Sequence, residues 1–231
     1  MTQIKATLKD HCGSDLTTVN AARVSFGKKA EPLDWQWYDY EDGSASGEYI
    51  AVLEEKDKKL IRYLAKHKHL SPFGHVFASF HVKAPIFVAR QLVKHKFLRW
   101  NEISRRYVDD EPEFYVPDVW RGRSEDKKQG SFGEVELSGY DDWTYNQSCL
   151  AMYNDLLTDG VAPEQARMVL PQSTMTEWWW SGSLDAFAAM CKLRCAPDSQ
   201  YESRVVANQI SKVMGDLFPV SWASLMSVEV K

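Results

Sequence analysis

The chain has 231 residues, a formal charge of −4, and 26% charged against 44% hydrophobic side chains. That is the make-up of a soluble globular protein long enough to bury a real core, and its acidic balance argues against a general nucleic-acid binder. No apolar run approaches the roughly 18 residues that cross a bilayer. MTQIKATLKDHC lacks the apolar segment of a secretory signal, and four irregularly spaced cysteines read as reduced thiols of a cytoplasmic protein.

In chain order, SDLTTVNAARVSF reads as a helix start capped by Ser14 or Asp15, with Leu16, Val19 and Ala22 as its apolar face. Residues 28–48 are acidic, aromatic and rich in turn formers, and read as an inserted loop. Leu53, Leu60, Ile61 and Leu64 recur at helical spacing and predict a helix over about 50–66. SPFGH breaks that pattern. HVFASFHVKA then alternates, placing Val76, Ala78, Phe80 and Val82 on one face of a strand. Pro85 suits the first turn of a helix over 85–95. Residues 97–104 read as a loop, EFYVPDVW as a short β-rich piece, and 121–134 as polar and mobile. A long helix is expected from Asp141 to Thr158, closed by Gly160. Another opens at Pro163 and ends at Pro171. STMTEWWWSG is β-like, and 184–193 and 199–216 are helical, the second striped by Val206, Ile210, Val213 and Met214. The sum is an α+β chain forming a single domain, helix-rich, with a small, mostly antiparallel sheet from the 76–83, 113–117 and 174–180 regions.

Positive charge concentrates in RQLVKHKFLRWNEISRRY, residues 90–107. Lys94, His95, Lys96, Arg99, Arg105 and Arg106 crowd around one acid, Glu102. On a helix over 85–95, Arg90 and Lys94 share a face, as do Gln91 and His95. Cations near a helix C-terminus also arise as a plain solvated face favoured by the dipole. Arginine forks mixed with Gln91, Asn101, Ser104 and a lone carboxylate suit a nucleotide better than bare phosphate. Local charge on an acidic protein selects a compact anion rather than a long polyanion. Arg167 in ARMVLP and Arg194 at the end of LDAFAAMCKLR are lone cations on apolar helices, a setting in which arginine commonly snorkels or pairs with an acid. His67, His69, His75, His81 and His95 lack metal-ligand spacing, and Cys191-x-x-x-Cys195 has no second pair to complete a zinc site. No P-loop, Gly-x-Gly-x-x-Gly or Gly-x-Ser-x-Gly occurs, and no cysteine has an evident activator.

Taken together, KHKFLRWNEISRRY resembles the motif R-H-R-x-x-S-x-N-E-x-S-x-R-Y of flavin-dependent thymidylate synthases. His95, Asn101, Glu102, Ser104, Arg106 and Tyr107 match it in identity and spacing. DLTTVNAARVSF, HLSPFGHVFASFHVKAPIFVARQ, ARMVLP and LRCAPDSQYES resemble further blocks of that family in the same order, so the resemblance spans nearly the whole chain. Lys94 and Lys96 replace the motif's arginines, keeping charge but losing the planar fork. Arg99 stands for its first serine and Arg105 for the small residue before the final Arg-Tyr. Ser183-Leu184-Asp185 stands where the family often has Asn-x-Arg. These departures point to a divergent branch.

The resemblance implies the fold of that family and a homotetramer with shared active sites, binding FAD, NADPH, dUMP and methylenetetrahydrofolate. The one-carbon unit moves to C5 of the uracil, the NADPH-reduced flavin supplies the hydride, and dTMP and tetrahydrofolate leave. No protein thiol attacks the pyrimidine, and the chain lacks the Pro-Cys-His of synthases that use one. By position, Gln91, Lys94, Ser104, Arg105 and Arg106 would take the dUMP phosphate and sugar. Glu102 would bridge the nucleotide and flavin regions, and Arg167 and Arg194 would face the uracil. Arg194 is the catalytic candidate, a fixed cation beside N3 that stabilises the anionic ring and makes C5 more nucleophilic. Ser25, His69, Ser71, Lys94, His95, Lys96, Glu102 and Ser183 would line the FAD site, with His69 also meeting nicotinamide or folate. Neither a metal, a nucleic acid nor a membrane is expected as a partner. One rival is an enzyme of the same scaffold that installs hydroxymethyl on dUMP. The other is a nucleic-acid-binding protein, which would bind oligonucleotides in a salt-sensitive way and carry no flavin.

Overall fold

The computed structural model describes residues 3–39, 47–108, 110–124, 130–139 and 141–228. Its strands are β1 (Lys5–Cys12), β2 (Asp34–Tyr38), β3 (Glu48–Val52), β4 (Phe77–Pro85), β5 (Arg99–Glu102), β6 (Arg121–Arg123), β7 (Ser131–Glu134) and β8 (Met175–Ser183). Its helices are α1 (Asp15–Arg23), α2 (Glu55–Lys66), α3 (Ile86–Leu92), α4 (Asp142–Thr158), α5 (Pro163–Ala166), α6 (Leu184–Arg194), α7 (Tyr201–Leu217) and α8 (Pro219–Met226). The main sheet runs β1-β4-β8-β5, antiparallel throughout, while β2-β3 and β6-β7 are separate hairpins. This is an α+β fold.

The alternation in β4 has its expected consequence. Val76, Ala78, Phe80, Val82 and Ala84 are buried against the helical layer. β8 repeats the pattern, with Trp178 and Trp180 inward and Trp179 exposed. Phe80 and Trp180 each meet Phe187 of α6 edge-on, at 5.4 and 5.8 Å between ring centroids. Each such fully buried side chain stabilises the fold by about 1.5–3 kcal/mol. Residues from α2, α6, α7 and α8 complete this core, and Leu150, Tyr153 and Ala166 form a smaller one under α4 and α5.

Several expectations are corrected by pairing that lies far away in sequence. Residues 97–104 hold β5 rather than a loop, because Arg99–Glu102 find a ladder on Trp178–Ser181 and Trp100 stacks on Trp178 at 4.4 Å. Residues 113–117 contribute only a bridge from Phe114 to Thr174, since Pro112 and Pro117 lack ladder donors. β1 takes the sheet place expected of them. Residues 28–48 contain β2, whose pairing with β3 delays the start of α2 to Glu55; residues 40–46 lie outside the described ones. The 121–134 stretch is the β6-β7 hairpin, with 125–129 outside the described residues. The expected helix over 85–95 ends at Leu92, with Pro85 as its cap rather than within its first turn. Phe97 then takes a left-handed φ of 70°. That turn sits against β8 where Gly182 is buried, and a Cβ there would collide with Leu98.

The two candidate caps of α1 have different jobs. The Ser14 N–H donates to Thr17 Oγ1 at 3.0 Å, inside the helix's own first turn. Asp15 is buried and accepts from the N–H groups of Val220 and Ser221, 2.8 Å each, at the start of α8. A carboxylate there satisfies donors that the helix itself cannot. Burial pushes the Asp15 pKa up, against the opposing pull of its Ser221 and Val220 donors.

Candidate active site

Five charged residues line one cavity of about 420 Å³: Arg90 from α3, Glu102 at the end of β5, Arg105 just beyond it, Glu164 from α5 and Arg167 after it. Main-chain bonds bring these elements together. Ile86 N–H donates to Thr174 O at 2.9 Å, tying α3 to the approach of β8, and Ile103 N–H donates to Glu177 O at 2.9 Å, extending the β5 pairing to the cavity.

Neutral donors hold the Glu102 carboxylate. Oε1 accepts from the buried Thr176 hydroxyl at 2.7 Å, and Oε2 from the Trp100 indole N–H at 3.0 Å. Arg105 donates to the Asp110 carbonyl at 2.7 Å and Arg167 to the Glu164 carbonyl at 3.2 Å. None of the three arginines has a carboxylate partner among the described residues. The cavity therefore keeps a cationic excess, even with Glu164 in its lining. Charge-assisted bonds to a phosphate are stronger than neutral ones, on the order of 1.5–3 kcal/mol each.

A second cluster forms behind α3. Arg194 Nε–H donates to His95 Nε2 at 2.9 Å. Burial, and then the neighbouring Arg194 charge, lower the His95 pKa to about 4. The ring is neutral at pH 7, accepts at Nε2 and carries its proton on Nδ1. The Arg194 Nη groups have no partner among the described residues. By NMR, the His95 ring should titrate near pH 4 rather than 6.5. In Arg194→Ala the midpoint should rise only in part, because burial is the larger cause; a midpoint near 6.5 in the unaltered protein would contradict the contact.

The other sequence candidates divide. Gln91 turns to α7, its Oε1 accepting from the Ser203 hydroxyl. Ser104 Oγ accepts from the backbone N–H and Nε–H of Arg106, both at 3.4 Å, and Arg106 lies over the Tyr107 ring. Gln91, Lys94, Ser104, Arg106 and Arg194 are not among the residues lining the arginine cavity. Lys94 and Lys96 are exposed and without an ion pair among the described residues. Ser25 and Ser71 are exposed, and His69 sits in an aromatic group with Tyr63 and His67. The Ser183 hydroxyl donates to Asp185 at 2.6 Å. Cys191 is buried and its pKa raised by burial. Cys195 has its pKa lowered by a hydrogen bond from Cys191, and neither lines the cavity.

A family model described as "thymidylate synthase complementing protein" matches residues 7–220. The chain belongs to this family. A flavin-dependent thymidylate synthase of Thermus thermophilus is 38% identical over 221 residues, covering 94% of this chain and 73% of that protein. One from Thermosipho melanesiensis is 35% identical over 224 residues, covering 95% and 89%. Among solved structures, a UMP/dUMP methylase PolB from Streptomyces cacaoi, bound with 5-Br dUMP, superposes with a TM-score of 0.78 at 29% identity, covering 98% of this chain and 96% of that one.

Set against this family, the chain's arginine cavity adds two kinds of residue that the sequence left without a role. Arg90 stands inside the APIFVARQ block and has no hydrogen-bond partner among the described residues. Its place in that block was the available signal. Thr176 and Trp100 hold Glu102, but only the β5-β8 register, with Glu102 opposite Trp178, brings them together.

Proposed function

We propose that this protein is a flavin-dependent thymidylate synthase that methylates dUMP to dTMP, with methylenetetrahydrofolate as the carbon donor. The observation that carries this reading is the cavity in which Arg90, Arg105 and Arg167 keep their charge around a Glu102 already satisfied by Thr176 and Trp100. A nucleotide phosphate answers the arginines, and Glu102 is left pre-set to accept from a sugar hydroxyl or a ring N–H.

Arg194 is the electrophilic residue. His95 engages its Nε–H, so the Nη donors stay available for the uracil O4–N3–O2 edge. Because Arg194 lies outside the arginine cavity's lining, a second copy of the chain would bring it to the pyrimidine. A homotetramer with shared sites meets that need. The neutral His95 adds no competing charge near the anionic ring.

The donor set also fits FAD. Lys94 and Lys96 are exposed cations without carboxylate partners among the described residues. With the Ser25 and Ser71 hydroxyls they would hold the flavin diphosphate, and His69 would lie near its ring or the folate. Ser183 is bonded to Asp185 and would have to turn to join them. When bound, and once reduced by NADPH, FAD supplies the hydride that completes the methyl group. The four free cysteines suit a reducing cytoplasmic setting.

The test is the product formed from dUMP, methylenetetrahydrofolate, NADPH and FAD, measured by mass. dTMP is expected, and no product without NADPH. A product one oxygen heavier would replace methylation by hydroxymethylation, and no product with a colourless protein would remove the flavoenzyme reading. UMP belongs in the same assay, because the solved PolB structures hold 5-Br dUMP and 5-Br UMP. Arg167→Ala should raise the KM for dUMP at least about tenfold, the loss of one charge-assisted contact. An unchanged KM would place the phosphate elsewhere.

A further inference from the structure

A second cavity, of about 350 Å³, shares a wall with the first. Ile86 lines the arginine cavity and Phe87 the second one; Gln172 lines the first and Ser173 the second. The wall is hydrogen-bonded, with Ile86 and Phe87 N–H groups donating to Thr174 O and Gln172 O at 2.9 and 3.3 Å.

The chemistry of this second space is the opposite of its neighbour's. Phe87, Tyr115 and Trp120 give it aromatic walls. Among the described lining residues its one cation, Arg121, is committed three ways. It pairs with Glu202, whose side chain is only 7% exposed. Its Nε–H donates to Ser131 Oγ at 3.2 Å, and its guanidinium lies 4.1 Å from the Tyr201 ring centroid. Asp142 adds negative charge to the lining. An anion entering here would meet carboxylates and, among the described residues, no free cation, so this lining disfavours phosphates.

Neutral hydrogen-bonding groups, by contrast, stand ready. Asn146 is buried to 6% exposure; its Oδ1 accepts a long 3.4 Å bond from Ser173, and its Nδ2 has no partner among the described residues. The Gln200 carboxamide and the Tyr115 hydroxyl also lack partners there. Burial, foremost, pushes the Tyr115 pKa up to about 12, so it stays a neutral donor at ordinary pH. Two carboxamides and a phenol present donors and acceptors in pairs, the complement of a lactam edge. The volume lies within the range of small-molecule sites, about 300–1,000 Å³.

We infer that this cavity binds a neutral, planar ring with lactam edges, of the pyrimidine-nucleoside or pterin kind. The ring lies against Phe87 and Tyr115, with its edges on Asn146 and Gln200.

Equilibrium dialysis of the full chain tests this with the arginine cavity saturated by dUMP. Thymidine is the probe in one arm and 6-hydroxymethylpterin in the other. At least one of them should bind stoichiometrically. Asn146→Leu should weaken it about tenfold, the cost of one buried hydrogen bond. Gln200→Ala, at a partly exposed position, should weaken it in the same direction and serves if the Leu variant does not fold. Arg167→Ala should leave it unchanged. Retention in the presence of dUMP supports the second cavity whether or not dTMP is made. No binding of either probe at millimolar concentration overturns the inference, as does binding that dUMP displaces or Arg167→Ala abolishes.

Discussion

Arg194→Ala should lower kcat for dTMP formation by about 10²–10³-fold, the range seen when one preorganised donor to a developing anion is removed. The reasoning starts from helix α6, which delivers Arg194 at its last residue. Burial lowers the guanidinium's pKa but leaves it charged. His95 then fixes its direction through Nε. A cation held in this way needs no reorganisation when negative charge grows on the uracil. The same residue does not hold the arginine cavity together, and it packs at half-exposure rather than in the core. Melting temperature and dUMP affinity should therefore stay near those of the unaltered chain while turnover falls. Arg194→Lys keeps the charge but loses the fork that would bond His95 and the ring at once, so it should recover only part of the rate. Near-normal turnover in the alanine variant would remove Arg194 from the chemistry.

The largest stability effect is expected from Arg23→Ala. Arg23 of α1 pairs with Oδ1 of Asp57 in α2; that side chain is 1% exposed and its Oδ2 has no hydrogen-bond partner among the described residues. Deleting the arginine strands a buried carboxylate, a change that costs about 3–5 kcal/mol. For a chain of this size that is roughly a 10 °C fall in Tm. Asp57→Asn removes the buried charge and leaves a neutral polar group, whose burial is less costly, so it should cost less. Calorimetric melts of the three proteins decide the matter; equal Tm for Arg23→Ala and the unaltered chain would show that the pair contributes nothing.

What could be read from the sequence followed the range of the interaction involved. β4 alternates, α4 carries Asp141 as a side-chain cap and Gly160 at φ 84°, and α7 is striped, all features written within a few neighbouring residues. β1, β5 and α8 were missed or misread because their reasons lie elsewhere. β5 is a short polar stretch, Arg-Trp-Asn-Glu, that becomes a strand only when β8 offers a ladder. α8 gets its starting anion from Asp15, at the other end of the chain. The candidate site divides in the same way. Glu102, Arg105 and Arg167 stand out by type and by resemblance, whereas Thr176 became visible only once two strands were in register.

The bonds from Asp15 to α8 also bear on how the chain is made. Val220 and Ser221 lie 205 and 206 positions beyond Asp15. Gln209 likewise accepts from Ala6 N–H at 2.7 Å and donates to Ile4 O at 3.1 Å. During synthesis from the N-terminus, the first strand and helix leave the ribosome with their partners still untranslated. The N-terminal layer must wait, open to other chains or held by a chaperone, until these late residues emerge. A nonsense mutation before residue 220 would thus act first on the opposite end of the molecule, leaving a carboxylate meant for burial with nothing to cap.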